Sequence, residues 1–161
     1  NLALKRLLDT LTAANIMAKP VVQLEEGLGL VQAAALLAEQ GISGAPVVNA
    51  AGRLVGVVSE KDFLKEMGFG ATPSFMQIAT HCLNNKGCMI GRLHNRTVGD
   101  IMTTPAITGT PETTIGAIAV LFFENKINRL PIIGGDGRPL GIVTRTDLAH
   151  SYYTFGLRPR S

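Results

Sequence analysis

Two kinds of hydrophobic pattern alternate along this chain. Apolar residues spaced i, i+3 and i+4 predict helices over 28–40 and 113–125. Short β-branched runs at 45–49 and 130–133 are each followed by a turn and a second run, at 54–59 and 140–144. The turns, Ala50-Ala51-Gly52 and Gly134-Gly135-Asp136-Gly137, make each pair of runs a β-hairpin. Leucines at helical spacing within 1–11 predict a leading helix. Thr12-Ala-Ala-Asn15 and Thr97-Val-Gly-Asp100 read as short helix starts, with threonine as N-cap. Pro20 and Pro105 each begin an extended segment, where a missing donor costs nothing. Gly41 and Asn125 are the expected helix exits, and Asp62 and Asp147 open two closing helices. The order in each half is strand, helix, hairpin, helix.

The halves are copies. Residues 12–65 align with 97–150 at a constant offset of 85, with fourteen of 54 positions identical. A repeat of this kind governs the fold. Each copy alone buries too little surface to be stable, so the expected fold class is α/β, of α+β type: two βαββα repeats related by a pseudo-twofold. The organisation expected is a first repeat with its leading helix over 1–67, an insert over 68–96, a second repeat over 97–152 and a tail over 153–161. Within the insert, 75–83 reads as a short helix.

Composition narrows the class. The chain has 161 residues, 46% of them hydrophobic and none of them tryptophan, so the core is aliphatic. No apolar run approaches the 18 or more residues of a membrane span, and no signal peptide is visible. The chain does not begin with methionine, which suggests either a trimmed chain or a piece of a longer protein. Two cysteines are too few for a disulfide scaffold and favour a reducing, cytoplasmic setting. Residues 1–83 carry six basic and seven acidic side chains, a balance of −1; residues 84–161 carry nine and five, a balance of +4. That asymmetry suits either a solvated surface or an anionic ligand near the second half. Nucleic acid is not expected, because the basic residues are scattered and no aromatic platform interleaves them.

One phrase carries candidate chemistry and occurs twice: Gly56-Val-Val-Ser59-Glu-Lys-Asp62 and Gly141-Ile-Val-Thr144-Arg-Thr-Asp147. A strand ends, a hydroxyl follows, and an acid stands three residues later at a helix start. That carboxylate can accept both hydroxyls of a ribose, while the hydroxyl and the free amides can hold a phosphate or a base edge. The competing reading is a capping box, in which the same groups satisfy the helix start.

These phrases, with the Ile-Met-x-x-Pro openings and the stretches Ile42-Ser-Gly-Ala-Pro46-Val and Ile127-Asn-Arg-Leu-Pro131-Ile, resemble the paired CBS domain, or Bateman module. The resemblance covers both repeats. It implies two units packed through their sheets into one CBS-pair module, a homodimer, and clefts for adenine nucleotides that regulate an attached or partner enzyme, channel or transporter. It also implies sites crossed between the repeats. One cleft would place Thr12, Met17 and Ile42 around the adenine, with Ile142, Thr144 and Asp147, the last on the ribose. Asn128, Arg129 and Thr146 would face phosphate. The other would take Thr97, Met102 and Ile127 with Ser43, Val57, Ser59 and Asp62, and Lys61 towards phosphate. The copies differ where Arg129 stands opposite Gly44 in the alignment, so the second cleft lacks that cation.

The expected function is therefore a non-catalytic sensor of AMP, ADP or ATP with no required cofactor. The alternatives are a ligand-free dimerisation platform or a sensor of another adenosyl ligand, S-adenosylmethionine. An enzyme is not expected, because no nucleophile–base pair, metal cluster or phosphate-binding glycine loop is visible. His81, Cys82, Cys88 and His94 lie close in sequence, but their spacing is not that of a usual zinc site. The stretch Cys82-Leu-Asn-Asn-Lys-Gly-Cys88 is similar to linkers in CBS pairs attached to small membrane proteins. That likeness would make the chain the cytosolic end of a transporter-like protein.

Overall fold

A computed structural model describes residues 2–67 and 93–156. Its elements are α1 (Leu2–Thr10), α2 (Ala13–Ile16), β1 (Leu24–Glu25), α3 (Leu30–Gln40), β2 (Gly44–Val48), β3 (Leu54–Ser59) and α4 (Glu60–Glu66). They continue with α5 (Val98–Ile101), α6 (Ile115–Asn125), β4 (Arg129–Ile133), β5 (Pro139–Thr144) and α7 (Arg145–Ser151), then a π-helical turn, Tyr152–Gly156. The expected order of strand, helix, hairpin and helix is complete in the first copy, while the second has the helix, hairpin and helix with no regular first strand among the described residues; the fold class is α/β as predicted. The expected helix over 75–83 lies outside the described residues, as do His81, Cys82, Cys88 and residues 157–161.

The chain forms two compact units. One is the continuous stretch 22–106; the other joins 1–21 to 107–161. The units of packing are thus not the units of repeat, because each hairpin packs with the leading segment of the other copy.

In the continuous unit, β1, β2 and β3 form a three-stranded sheet in that order. β1 runs parallel to β2, Leu24 facing Val47, and β2 and β3 form an antiparallel hairpin. The expected extended segment after Pro20 becomes regular strand only at Leu24 and lasts two residues. Its counterpart after Pro105 makes a single parallel bridge, Gly109 to Ile132, beside the β4–β5 hairpin.

Helix α3 places Leu30, Ala33, Ala34 and Leu37 on one buried face, as the Ala/Leu stripe requires. They meet Leu24, Val47, Val58, Phe63, Leu93 and Val98 in one core. Each large apolar side chain buried fully there contributes about 1.5–3 kcal/mol. The second core gathers Ala13, Ile118, Phe122, Leu130, Ile132 and Val143, with Ile16 and Met17 packed against it. Helix α1 lies on α6, with the Leu8 carbonyl 3.1 Å from where a β-carbon on Gly116 would stand.

Helix α3 ends at Gly41 in the left-handed conformation, φ 66°. The exit of α6 is not Asn125, which is its last helical residue, but Lys126, at φ 53°. The repeat explains this: Lys126 is the aligned partner of Gly41, and the backbone keeps the geometry after the glycine is gone. Asn125 instead turns its amide back to the Leu121 carbonyl at 3.0 Å.

Candidate functional site

Each unit contains one copy of the same local construction. A short helix ends in methionine, the next residue bridges to a hairpin strand, and that strand runs on into a capped helix. In the discontinuous unit, the Ala18 amide donates to the Ile142 carbonyl at 2.9 Å and the Ile142 amide returns the bond at 3.2 Å. In the continuous unit, Thr103 and Val57 exchange the same pair at 2.8 and 3.1 Å. The bridges fix the glycines of the repeated phrase. A β-carbon on Gly141 would stand 2.7 Å from the Met17 sulfur and 3.0 Å from the Ala18 carbonyl oxygen. On Gly56 it would stand 2.8 Å from the Met102 sulfur and 2.9 Å from the Thr103 carbonyl oxygen. The absent side chain is what lets the crossing segment approach.

Two residues beyond each bridge stands the hydroxyl–acid pair. Asp147 Oδ2 accepts the Thr144 amide at 2.7 Å and the Thr144 hydroxyl at 3.0 Å. The Asp147 amide donates back to Thr144 Oγ1 at 3.3 Å. Asp62 Oδ2 accepts the Ser59 amide at 2.8 Å and its hydroxyl at 3.3 Å. Both pairs are therefore capping boxes. Capping uses one oxygen of each carboxylate and leaves the other, Oδ1, directed elsewhere. Asp147 Oδ1 has no hydrogen bond among the described residues, while Asp62 Oδ1 has the Thr103 hydroxyl at 3.5 Å.

Thr12 and Thr97 also act as caps. The Thr12 amide donates to Asn15 Oδ1 at 2.9 Å, and the Thr97 amide to Asp100 Oδ2 at 2.8 Å. The Thr97 amide, then its hydroxyl, with a smaller contribution from Arg96, hold the exposed Asp100 carboxyl below its ordinary range.

Of the residues expected in the first cleft, Thr12, Met17, Asn128, Arg129, Ile142, Thr144, Thr146 and Asp147 all belong to the discontinuous unit, while Ile42 belongs to the continuous one. Of the second set, Ser43, Val57, Ser59, Lys61, Asp62, Thr97 and Met102 share the continuous unit, and Ile127 belongs to the other. Arg129 pairs directly across the hairpin with Thr144, and Gly44 with Ser59. Directly opposed residues present their side chains to one face, so Arg129 shares the face of Thr144. Arg145, whose Nε donates to the Ile127 carbonyl at 3.3 Å, aligns with Glu60. The surroundings differ in sign: Arg129, Arg145 and Asp147 on one side; Glu60, Lys61 and Asp62 on the other. Lys61, Asn128 and Thr146 are exposed, and Asp62, Thr144 and Asp147 are half-buried. The residues missed by sequence reasoning are Ala18 and Thr103, the bridge partners; the hydrophobic pattern gives no signal for them, and only the alignment shows that the copies differ there.

Among the described residues, no group of three or more His, Cys, Asp or Glu side chains is placed to hold a metal ion. No helix among them is long and apolar enough to cross a membrane.

Comparison with known proteins gives the family. The CBS domain pattern matches residues 13–68 and again 98–153. An uncharacterized protein of Methanocaldococcus jannaschii, MJ1426, is 33% identical over 157 residues, covering 83% of this chain and 86% of that protein. The chloroplastic CBS domain-containing protein CBSX1 of Arabidopsis thaliana is 29% identical over 83% of this chain, which spans 57% of its length. Among solved structures, the CBS domain of a CBS domain containing membrane protein from Sphaerobacter thermophilus has a TM-score of 0.75 at 30% identity, covering 92% of this chain and 91% of that one. CBSX2 in complex with AMP has a TM-score of 0.70 at 26% identity, covering 89% and 97%.

Proposed function

This chain belongs to the CBS domain family as a tandem pair, and from that premise we propose that it is a non-catalytic regulatory module for an adenine nucleotide. The observation that carries the proposal is the Asp147 carboxylate. One of its oxygens is fixed by Thr144, and the other has no hydrogen bond among the described residues. A rigid carboxylate with a spare oxygen accepts a ribose hydroxyl without reorganisation. Arg129 and Arg145 nearby supply positive charge for phosphate. The AMP complex of CBSX2 supports the ligand class. Filling the site would act on an attached or partner protein by favouring one arrangement of the module, in proportion to its differential affinity. The membrane-protein origin of the Sphaerobacter thermophilus domain supports a module serving a larger membrane protein.

Thermal unfolding with nucleotide tests this. A ligand at 100 times its Kd stabilises by about 2.7 kcal/mol. At about 2–4 °C per kcal/mol, millimolar AMP, ADP or ATP raises Tm by roughly 5–11 °C for a Kd of about 10 μM. No shift with any of these, while S-adenosylmethionine gives one, moves the ligand to another adenosyl compound. No shift with any of the four leaves a ligand-free association platform, which the exposed Val120 and Phe123 side chains on α6 would serve.

A further inference from the structure

We propose that residue 103 and its aligned counterpart 18 set the affinity of each unit's aspartate for a ribose hydroxyl, making the Asp147 site the stronger of the two. The proposal rests on the nucleotide function above and adds a specificity-determining position that the charge difference does not supply.

Both positions are held by the same two-way backbone bridge, Ala18 to Ile142 and Thr103 to Val57. Opposed residues of an antiparallel pair present side chains to one face, and the face repeats every second residue. Thr144 stands two residues after Ile142, and Ser59 two after Val57. Side chains at 18 and 103 are therefore directed to the side where each hydroxyl–acid box sits. In the continuous unit the consequence is visible: Thr103 Oγ1 lies 3.5 Å from Asp62 Oδ1, the oxygen that the box does not use. The threonine hydroxyl stands where a ligand hydroxyl must arrive. In the other unit the corresponding side chain is the methyl group of Ala18, which donates nothing, and Asp147 Oδ1 has no donor among the described residues.

A ligand hydroxyl at Asp62 competes with Thr103 for Oδ1, whereas at Asp147 Oδ1 it meets no competing donor among the described residues. Thr103 is exposed, so its displaced hydroxyl returns to water, and the penalty is a part of one hydrogen bond. That corresponds to about a two- to tenfold loss of affinity. Backbone bonds make both bridges, so exchanging the side chains leaves them intact.

The test is AMP titration calorimetry on the full chain, with each site isolated by removing the opposite aspartate. In an Asp147→Ala chain, Thr103→Ala tightens AMP about two- to tenfold. In an Asp62→Ala chain, Ala18→Thr weakens it by the same factor. If the isolated Asp62 site is too weak to titrate, Ala18→Thr in the chain with both aspartates carries the test and weakens AMP by that factor. Unchanged or weaker binding after Thr103→Ala, or unchanged binding after Ala18→Thr, overturns the proposal while leaving nucleotide binding intact. A wild-type chain that binds no AMP at millimolar concentration overturns both.

Discussion

The sulfur of Met17 lies so close over Gly141 that a β-carbon on the glycine would stand 2.7 Å from it. The two residues come from different copies of the repeat, 124 positions apart in sequence. Met102 and Gly56 reproduce the contact in the other unit. The glycine of the repeated phrase is thus a packing requirement of the crossing, set beside the box it precedes.

Gly141→Ala and Gly56→Ala should each destabilise the chain by about 1–3 kcal/mol, the cost of overpacking a fitted contact. Met17→Ala should recover part of the loss from Gly141→Ala but none from Gly56→Ala. Urea unfolding of the single and double variants measures the coupling. Strict additivity for Met17 and Gly141 would show that the contact carries no energy.

The Asp147 site should bind nucleotide more tightly than the Asp62 site. Asp147→Ala should weaken AMP about 10–150-fold through loss of about 1.5–3 kcal/mol of charge-assisted hydrogen bonding, and Asp62→Ala by less. Calorimetry on both variants decides it. A larger loss for Asp62→Ala would reverse the assignment.

The left-handed exits offer a stability test independent of ligand. Lys126 at φ 53° bears the steric cost that Gly41 at φ 66° avoids. Lys126→Gly should stabilise by about 1 kcal/mol, and Gly41→Ala should destabilise by a similar amount, as read from denaturant midpoints. A neutral Lys126→Gly would mean that the lysine makes a compensating contact.

Asp100 gives a pH dependence of definite sign. Its folded carboxyl titrates below the ordinary value because Thr97 binds the charged form. The resulting stabilisation is complete above the ordinary carboxylate range and is lost as pH falls through the lower, folded value. Asp100→Asn should keep the box, as Asn15 does in the other copy, and flatten the acid limb of a plot of Tm against pH below about pH 4. An unchanged acid limb would remove the box from the pH response.

Association should follow from α6, where Phe123 is 86% and Val120 52% exposed. The two side chains stand three residues apart on one helix face, and a twofold pair closes without leaving a free end. Light scattering at micromolar concentration should give about twice the 17.0 kDa chain mass, and Phe123→Asp should halve it. A wild-type monomer would assign this surface to a different partner.

The order of elements is legible in the sequence because helix and strand periods differ and each hairpin has its own turn residues. The α3 stripe is legible for the same reason, since Leu30, Ala33 and Leu37 must share a face. The crossing is not legible from residue patterns, and only the family resemblance implies it. The openings at Thr12–Met17 and Thr97–Met102 are nearly alike, so local pattern cannot choose which hairpin each one meets. A glycine within a strand signals a close approach but does not say of what. The exit of α6 escapes because lysine carries no left-handed signal. The hydroxyl–acid phrase supports both capping and ligand binding for a physical reason: a carboxylate has two oxygens, and the box engages one.

The exchange of leading segments has a consequence for synthesis. Residues 1–21 are synthesised before 22–106, yet the rest of their unit lies at 107–161. They must wait while 85 residues, 22–106, emerge and complete the continuous unit. Each doubling of an open loop costs about 0.6 kcal/mol in closure entropy, and a loop already folded costs less than a flexible one of the same length. The inner unit is thus placed by the chain order to fold first and to shorten the search of the outer one. A destabilising change within 22–106 should then slow the docking of α1 and α2, although neither helix belongs to that unit.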